Sequence, residues 1–344
     1  LFLIPYSWND ALSLAYGLSQ QTGNPNLKWE LSATKNYGLD VGFLNQRITG
    51  SIDYYDTRTS DLLLQRSLPT SSGVKQVIQN IGKTKNSGIE LTIQANVIKT
   101  TFFNWNSSVT YTMNKEEIID LVNGQNDVAN AWFIGNPVNS FYDYKKTGIW
   151  QTVDSTLAKS FGAKPGDIKV ADINGDGKIT SDDRTVIGST TPNYILSFNN
   201  DFTIGNFDLN IFIFARQGQT IKSNFAAKYE PNAIENGTPV DYWTPENPTN
   251  NYPRPTTALS RAALPYATSL QYIDGSFIKI RNITLGYTLP KSINNKLKIK
   301  KIRVYMSAKN FITLSDIKNF DPENAGSYET PLTKLFVAGV NIDF

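Results

Sequence analysis

Residues 172–183 have the residue types and spacing of a calcium-binding loop. Side-chain oxygens fall at loop positions 1, 3, 5 and 12, and glycine falls at position 6, as in an EF-hand loop. Position 12 is aspartate instead of the usual glutamate, and its shorter side chain makes bidentate coordination harder. The sequence therefore predicts a structural Ca²⁺ site, and the alternative is a metal-free turn rich in Asp and Asn. The expected ligands, with the backbone carbonyl serving at position 7, are Asp172, Asn174, Asp176, Lys178 and Asp183.

Catalytic chemistry has little support in this sequence, which contains no histidine and no cysteine. Thiol nucleophiles, Ser-His-Asp triads and histidine-ligated metals are thereby excluded. Adjacent acidic pairs such as Glu116–Glu117 and Asp182–Asp183 do not make a glycosidase pair, because neighbouring side chains point apart. We expect no enzymatic activity. The net charge of +3 is also too balanced to predict nucleic-acid binding.

The elements that carry these residues show a two-residue alternation of apolar and polar side chains. Such alternation, in segments of about ten residues, is typical of membrane-spanning β-strands. The longest apolar runs, such as Ile211–Ala215, are far shorter than the roughly 20 residues of a membrane-spanning helix. Three residues break the pattern, Asn200 on an apolar face and Phe212 and Phe214 on a polar one. The nine segments are 38–43, 48–54, 89–97, 103–113, 194–204, 207–215, 282–289, 301–311 and 336–344.

Connection lengths also favour a membrane barrel. Short links, with turns at Asn45–Gln46 and Gly205–Asn206, alternate with long ones near 57–86, 114–192, 217–276 and 312–333. Short turns at one rim and long loops at the other are the asymmetry of outer-membrane barrels, so we expect the long loops to be extracellular. An odd number of antiparallel strands leaves edges that cannot close, and we expect further strands upstream of Leu1.

Within the loops, Lys115–Val122 is predicted to be a short solvated helix. Aromatic loop residues could stack on sugar rings or contact a partner, although packing the loops onto each other is the simpler expectation. These residues are Trp132, Phe133, Tyr142, Trp150, Tyr229, Tyr242 and Trp243.

A soluble β-sandwich would produce the same alternation. Aromatic residues at the ends of the segments disfavour it, because they suit the interfacial girdles of a membrane barrel. The residues in question are Tyr54, Phe103, Trp105, Tyr287 and Phe344.

Five segments, kept in order along the chain, resemble the C-terminal barrel of SusC/RagA-type TonB-dependent outer-membrane proteins. They are Pro25–Glu30 (PNLKWE), Gly50–Leu63 (GSIDYYDTRTSDLL), Asn80–Leu91 (NIGKTKNSGIEL), Phe277–Pro290 (FIKIRNITLGYTLP) and Lys301–Thr313 (KIRVYMSAKNFIT).

The resemblance implies an all-β fold, with residues 1–344 forming about nine C-terminal strands of a 22-stranded transmembrane antiparallel barrel. The N-terminal plug, the TonB-contacting segment and the earlier strands are expected outside this chain. It implies import of glycans or peptides with a SusD-like surface lipoprotein, driven by the TonB complex. Further expectations are outer-membrane lipid around the barrel, a periplasmic C-terminus, the 172–183 loop on the outside, and Phe344 as part of the insertion signal.

Two other functions stay open at this point. One is a secreted, calcium-stabilised β protein that binds glycan at its surface. The other is a passive porin without a plug.

Overall fold

The computed structural model describes residues 3–5, 16–18, 21–22, 24–68, 71, 76–223, 239–255, 264–318, 320–324 and 332–344. Strands dominate the described residues. In chain order they are β1 (Leu3–Pro5), β2 (Tyr16–Leu18), β3 (Gln21–Thr22), β4 (Leu31–Phe43), β5 (Ile48–Ser67), β6 (Gln76–Lys99), β7 (Phe103–Asp120), β8 (Ser140–Tyr144), β9 (Lys146–Ile149), β10 (Ile168–Val170), β11 (Arg184–Ser189), β12 (Tyr194–Ile204), β13 (Phe207–Gln217), β14 (Thr220–Lys222), β15 (Tyr272–Asp274), β16 (Phe277–Thr288), β17 (Lys301–Leu314) and β18 (Leu335–Asp343).

Helices are few and short. The two α-helices are α1 (Ser155–Ser160) and α2 (Lys291–Lys296). No helix in the described part of the chain is long and apolar enough to cross a membrane. The 3-10 turns are Val122–Gly124, Thr152–Asp154, Ser181–Asp183, Ala267–Gln271 and Pro322–Asn324.

One large sheet contains every segment predicted as a strand. Its path runs β4-β5-β6-β7-β12-β13-β16-β17-β18, and β3 adds a short parallel pairing to β6. Each neighbour is the next long strand in sequence, and the pairs from β7 to β18 are antiparallel. The nine-stranded antiparallel prediction is therefore confirmed.

By their contacts the residues group into two compact units. One comprises Leu1–Gly38, Asp53–Ile89 and Asn114–Val138. The other comprises Leu39–Ile52, Glu90–Met113 and Asn139–Phe344, and it contains β8 to β18 with the loops described below.

The short turns are built as predicted, with one difference. Gly205 takes a left-handed backbone (φ 57°) in the two-residue turn between β12 and β13, a conformation that glycine adopts without steric cost. The first hairpin turn has four residues, 44–47, instead of two. Arg47 holds it against β6, since its guanidinium donates to the carbonyls of Asn96 (2.8 Å) and Val97 (2.6 Å).

Two predictions about the region 57–122 are wrong. The long loop expected over 57–86 is mostly strand, because β5 continues to Ser67 and β6 begins at Gln76. The helix expected over Lys115–Val122 is also strand as far as Asp120. Here charged pairs across strands, such as Lys83 with Asp120 at 3.0 Å, replace apolar alternation. A strand that is polar on both faces keeps its backbone pairing but loses the two-residue signal.

Apolar side chains on the long strands are unusually exposed. Leu285 is 52% exposed, Met306 62% and Val340 57%, and all three lie on the apolar face of the sheet. In a soluble sandwich this face would be covered by a second sheet. An apolar face of this extent needs lipid or another apolar surface against it.

Two of the three breaks in the alternation have structural explanations. Asn200, on the apolar face, is buried, and its Oδ1 accepts a hydrogen bond from the indole Nε1 of Trp105 at 3.0 Å. Phe214, on the polar face, packs against Phe277 with ring centroids 6.0 Å apart and lies beneath the guanidinium of Arg281. Asn200 and Phe214 are therefore each half of a specific pair, whereas Phe212 has no structural explanation.

We predict that Trp105→Phe destabilises the sheet by about 1–3 kcal/mol, because it leaves a buried amide oxygen without its donor. In an Asn200→Leu background the same substitution should cost much less, since no polar group is then left unpaired. Urea unfolding of the four proteins in lipid vesicles measures this coupling. Equal effects of Trp105→Phe in both backgrounds would show that the hydrogen bond contributes nothing.

Candidate functional site

The polar face of the sheet carries a chain of side-chain hydrogen bonds across four strands, β12, β13, β16 and β17. Asn210 Nδ2 donates to Asn199 Oδ1 and to Asp201 Oδ1, both at 2.8 Å. Asn282 Nδ2 donates to Asn210 Oδ1 at 3.0 Å, and Ser307 Oγ donates to Asn282 Oδ1 at 2.7 Å. A connected set of this kind fixes rotamers and keeps the surface polar.

Next along this face an ion pair joins β13 to β17. The guanidinium of Arg303 contacts both carboxylate oxygens of Asp208, with Nε 2.9 Å from Oδ1. Gly286 lies between them on β16, where a Cβ would come within 2.5 Å of both partners. Glycine at 286 therefore permits the bidentate geometry.

A second charged group joins the segment after β17 to the polar face. Lys279 is fully buried, and its Nζ donates to both carboxylate oxygens of Asp321 and to Glu323 Oε2, each at 2.8 Å. Arg281 contacts the other oxygen of Glu323. This cluster was not predicted from the sequence. Its signal was Lys279 and Arg281 at polar positions of a strand, but their acidic partners lie 42 to 44 residues away.

The buried hydrophobic cluster of the larger unit lies in the loops, not on the strands of the large sheet. Its members are Ile149, Ile168, Val170, Trp243, Leu264, Ala267 and Leu270. The indole of Trp243 donates to Gln151 at 2.8 Å, so its polar atom is also satisfied. These loops therefore have a core of their own, which gives them a defined shape.

Of the predicted loop aromatics, Trp243 belongs to this core, and the others differ in exposure. Phe133, Trp150 and Trp243 are buried, whereas Tyr242 is 43% exposed. Half-buried members of the set are Trp132 and Tyr142, and Tyr229 lies outside the described residues.

Several tyrosines in these loops have raised pKa values. Burial, reinforced by Asp143, raises the pKa of Tyr272 to about 12. Burial also raises the pKa of Tyr252 and of Tyr266. All three hydroxyls stay protonated at neutral pH, and that of Tyr272 lies within hydrogen-bonding reach of Asp143.

The first half of the 172–183 loop has the turn geometry that the motif predicts. Asp172 accepts backbone N–H groups from Gly175 (2.7 Å) and Gly177 (2.9 Å), and both glycines are left-handed. Asn174 and Asp176 each accept the N–H two residues ahead. The backbone therefore wraps around the predicted ligands.

Position 12 of the loop has a different environment. Asp183 is fully buried, and its two oxygens accept backbone N–H groups from Ile173 (2.9 Å) and Thr180 (2.7 Å). These bonds, that from Thr180 foremost, hold the pKa of Asp183 below its usual range. Its carboxylate also lies within hydrogen-bonding reach of Asp172, so positions 1 and 12 meet.

The other predicted ligand oxygens do not complete a metal-coordination shell in this conformation. Among the described residues, no three acidic side chains are grouped closely enough to hold a metal. Of the predicted ligands, Asp172 and Asp183 lie side by side, and Asp176 is not grouped with them. Phe344, the predicted insertion signal, directly follows β18 and is 82% exposed.

Comparison with known proteins agrees with the fold. Residues 6–162 match the family described as TonB dependent receptor-like, beta-barrel. The structure of the RagAB peptide transporter superposes with a TM-score of 0.78 at 25% identity, covering all of this chain and 38% of that one. This chain has the TonB-dependent receptor barrel fold. The resemblance to SusC/RagA-type barrels drawn from the five sequence segments is confirmed.

Curated TonB-dependent receptors are similar over nearly the whole chain. TonB-dependent receptor P3 of Formosa agariphila is 34% identical over 355 residues, covering 93% of this chain and 35% of the relative. TonB-dependent receptor SusC of Bacteroides thetaiotaomicron is 30% identical over 347 residues, covering 93% of this chain and 32% of the relative. The chain spans about a third of the length of these relatives. Both relatives are described as TonB-dependent receptors.

Proposed function

We propose that this chain forms the C-terminal wall and outer loops of a TonB-dependent outer-membrane importer. The observation that carries the proposal is the two-faced sheet, with an exposed apolar face for lipid and a hydrogen-bonded polar face for an aqueous path. In this arrangement the long loops are extracellular and the C-terminus is periplasmic. The rest of the receptor supplies the plug and the contact with the TonB complex.

The cargo we propose is an oligosaccharide or a peptide, captured with a SusD-like surface lipoprotein. Similarity to SusC and to the RagAB peptide transporter supports this class of importer. The loop core supports the partner, because a lipoprotein needs a preformed surface on which to close.

The test is to express the full-length receptor in a bacterium with an outer membrane and to fractionate the cells. We expect it in the outer membrane, soluble only with detergent, and co-purifying with the SusD-like protein encoded beside it. Recovery as a monodisperse soluble protein without detergent would contradict the proposal. That result would favour the secreted, calcium-stabilised glycan-binding protein.

We also propose that the 172–183 loop binds Ca²⁺ through Asp172, Asn174, Asp176, the carbonyl of Lys178 and Asp183. The EF-hand spacing and the adjoining carboxylates of Asp172 and Asp183 support it. When bound, the ion would offset the repulsion between those carboxylates and stiffen the loop between β7 and β12.

Asp172→Ala and Asp176→Ala are each expected to weaken Ca²⁺ binding at least about tenfold, because each removes a charged oxygen ligand. Asp182→Ala is the matched control, since Asp182 is exposed and lies outside the ligand positions. Calorimetric titration of the full-length receptor measures the effect. Unchanged Ca²⁺ affinity in both ligand variants would contradict the calcium proposal.

A further inference from the structure

A cavity of about 490 Å³ opens on the polar face beside β16, β17 and β18. Two cations, Arg281 and Lys309, are its charged lining residues, and no described acidic side chain lines it. Neutral hydrogen-bonding side chains form most of the remaining wall, and they are Asn282, Thr284, Ser307 and Asn310. The two cations suit a negatively charged group, and the neutral polar side chains suit the uncharged part of the same ligand.

Arg281 is held in position with donor capacity to spare. Its guanidinium stacks 3.9 Å above the ring of Phe214 and contacts Glu323 through Nη2. Its buried Nε has no acceptor among the described residues. The unpaired N–H group adds its dipole to the positive charge of the guanidinium, which favours an anion in the adjoining cavity.

The charges around Arg281 do not balance. Arg216 lies close enough to repel it, and Lys279 shares the same two carboxylates, Asp321 and Glu323. Three cations therefore face two anions, which leaves one positive charge in excess within the described cluster.

Lys309 adds a second cation that is free to respond to a ligand. It lies in register with Asn282 on β16, is exposed, and pairs with no acidic residue in the described ranges. Its flexible ammonium complements the rigid fork of Arg281, which favours bidentate contact with a planar carboxylate.

We propose that this cavity binds a carboxylate group of the imported molecule, with Arg281 and Lys309 as the cation pair. The inference rests on the proposed function, because it requires the polar face to line the import path. The carboxylate could belong to a peptide C-terminus or to a uronic acid, and the neutral wall would hold the adjoining amides or hydroxyls.

Calorimetry on the full-length receptor in detergent tests the proposal with two matched pairs of probes. One pair is acetyl-tetra-alanine as free acid and as amide, and the other is trigalacturonate and its methyl ester. We expect at least one acid to bind about tenfold more tightly than its neutral partner, and its affinity to fall as salt is raised. The pair that shows the preference identifies the source of the carboxylate.

Two variants locate the preference. Lys309→Gln and Arg281→Gln should each reduce the affinity for the acid about tenfold and leave the neutral probe unaffected. Lys309→Gln is the sharper test, because that side chain holds no ion pair among the described residues whose loss could disturb folding. Lys296→Gln on α2 removes the same charge from an exposed site and should change nothing.

The proposal is overturned if the acid and neutral probes bind with equal affinity in both pairs. It is also overturned if Lys296→Gln lowers the affinity for the acid probe as much as Lys309→Gln does. In either case an outer-membrane receptor that still co-purifies with its lipoprotein leaves the proposed function standing. Recovery of a soluble protein without detergent would contradict both the carboxylate site and the proposed function.

Discussion

Lys279→Met is expected to destabilise the protein by about 3–5 kcal/mol, the usual effect of removing one partner from a buried ion pair. Lys279 has no exposed surface, and its ammonium holds Asp321 and Glu323 at 2.8 Å. Methionine fills a similar volume, so the loss would come from the carboxylates left without their cation. Urea unfolding of the full-length receptor in vesicles measures the stability.

Two controls make this result specific. Lys318→Met removes an exposed lysine from the same segment, and it should cost less than about 0.5 kcal/mol. The double variant Lys279→Met/Asp321→Leu should recover part of the loss, because it removes a stranded carboxylate while Glu323 keeps Arg281. Equal stability of Lys279→Met and Lys318→Met would show that the cluster does not stabilise the fold.

Gly166→Ala is expected to disrupt the loop core at a cost of about 2–5 kcal/mol, from a left-handed backbone and a steric overlap together. Gly166 has φ 88°, and a Cβ there would lie 2.6 Å from the indole of Trp243 and 2.5 Å from Arg254. The indole is rigid and buried, so the backbone must move. That movement breaks the bond from Gly166 N–H to the carbonyl of Trp150.

Gly162→Ala is the matched control for this prediction. Gly162 is also left-handed, at φ 69°, but a Cβ there would enter open space. It should cost only about 1–2 kcal/mol, the backbone part alone. Hydrogen exchange of the loop amides distinguishes the two, and equal exchange in both variants would contradict the steric argument.

Much of the sheet could be predicted from the sequence because lipid imposes a simple rule on the residues that face it. Leu285 and Val340 each belong to a run of apolar residues at every second position, and that spacing located their strands. The alternation of apolar and polar residues ends where the strands extend beyond the apolar band. Beyond it Lys83 and Asp120 pair across strands without any apolar partner, so the strand was mistaken for loop and helix.

The site was less predictable because its contacts join distant parts of the chain. The spacing within 172–183 identified the loop and its turn residues, since all of its information is local. The meeting of Lys279 with Asp321 depends on how the segment after β17 folds back, which no spacing encodes. The hydrogen bonds of Asp183 could not be predicted either, because every residue type except proline has a backbone N–H group and the sequence does not show which ones will donate.

The separate hydrophobic core of the loops has an evolutionary consequence. Substitutions on the apolar face of the sheet must keep that face compatible with lipid. Substitutions around Trp243 and Ile149 must instead keep the loop core closely packed. Because the two sets share few contacts, either can diverge without disturbing the other. A lineage can therefore exchange these loops and keep the sheet that carries them.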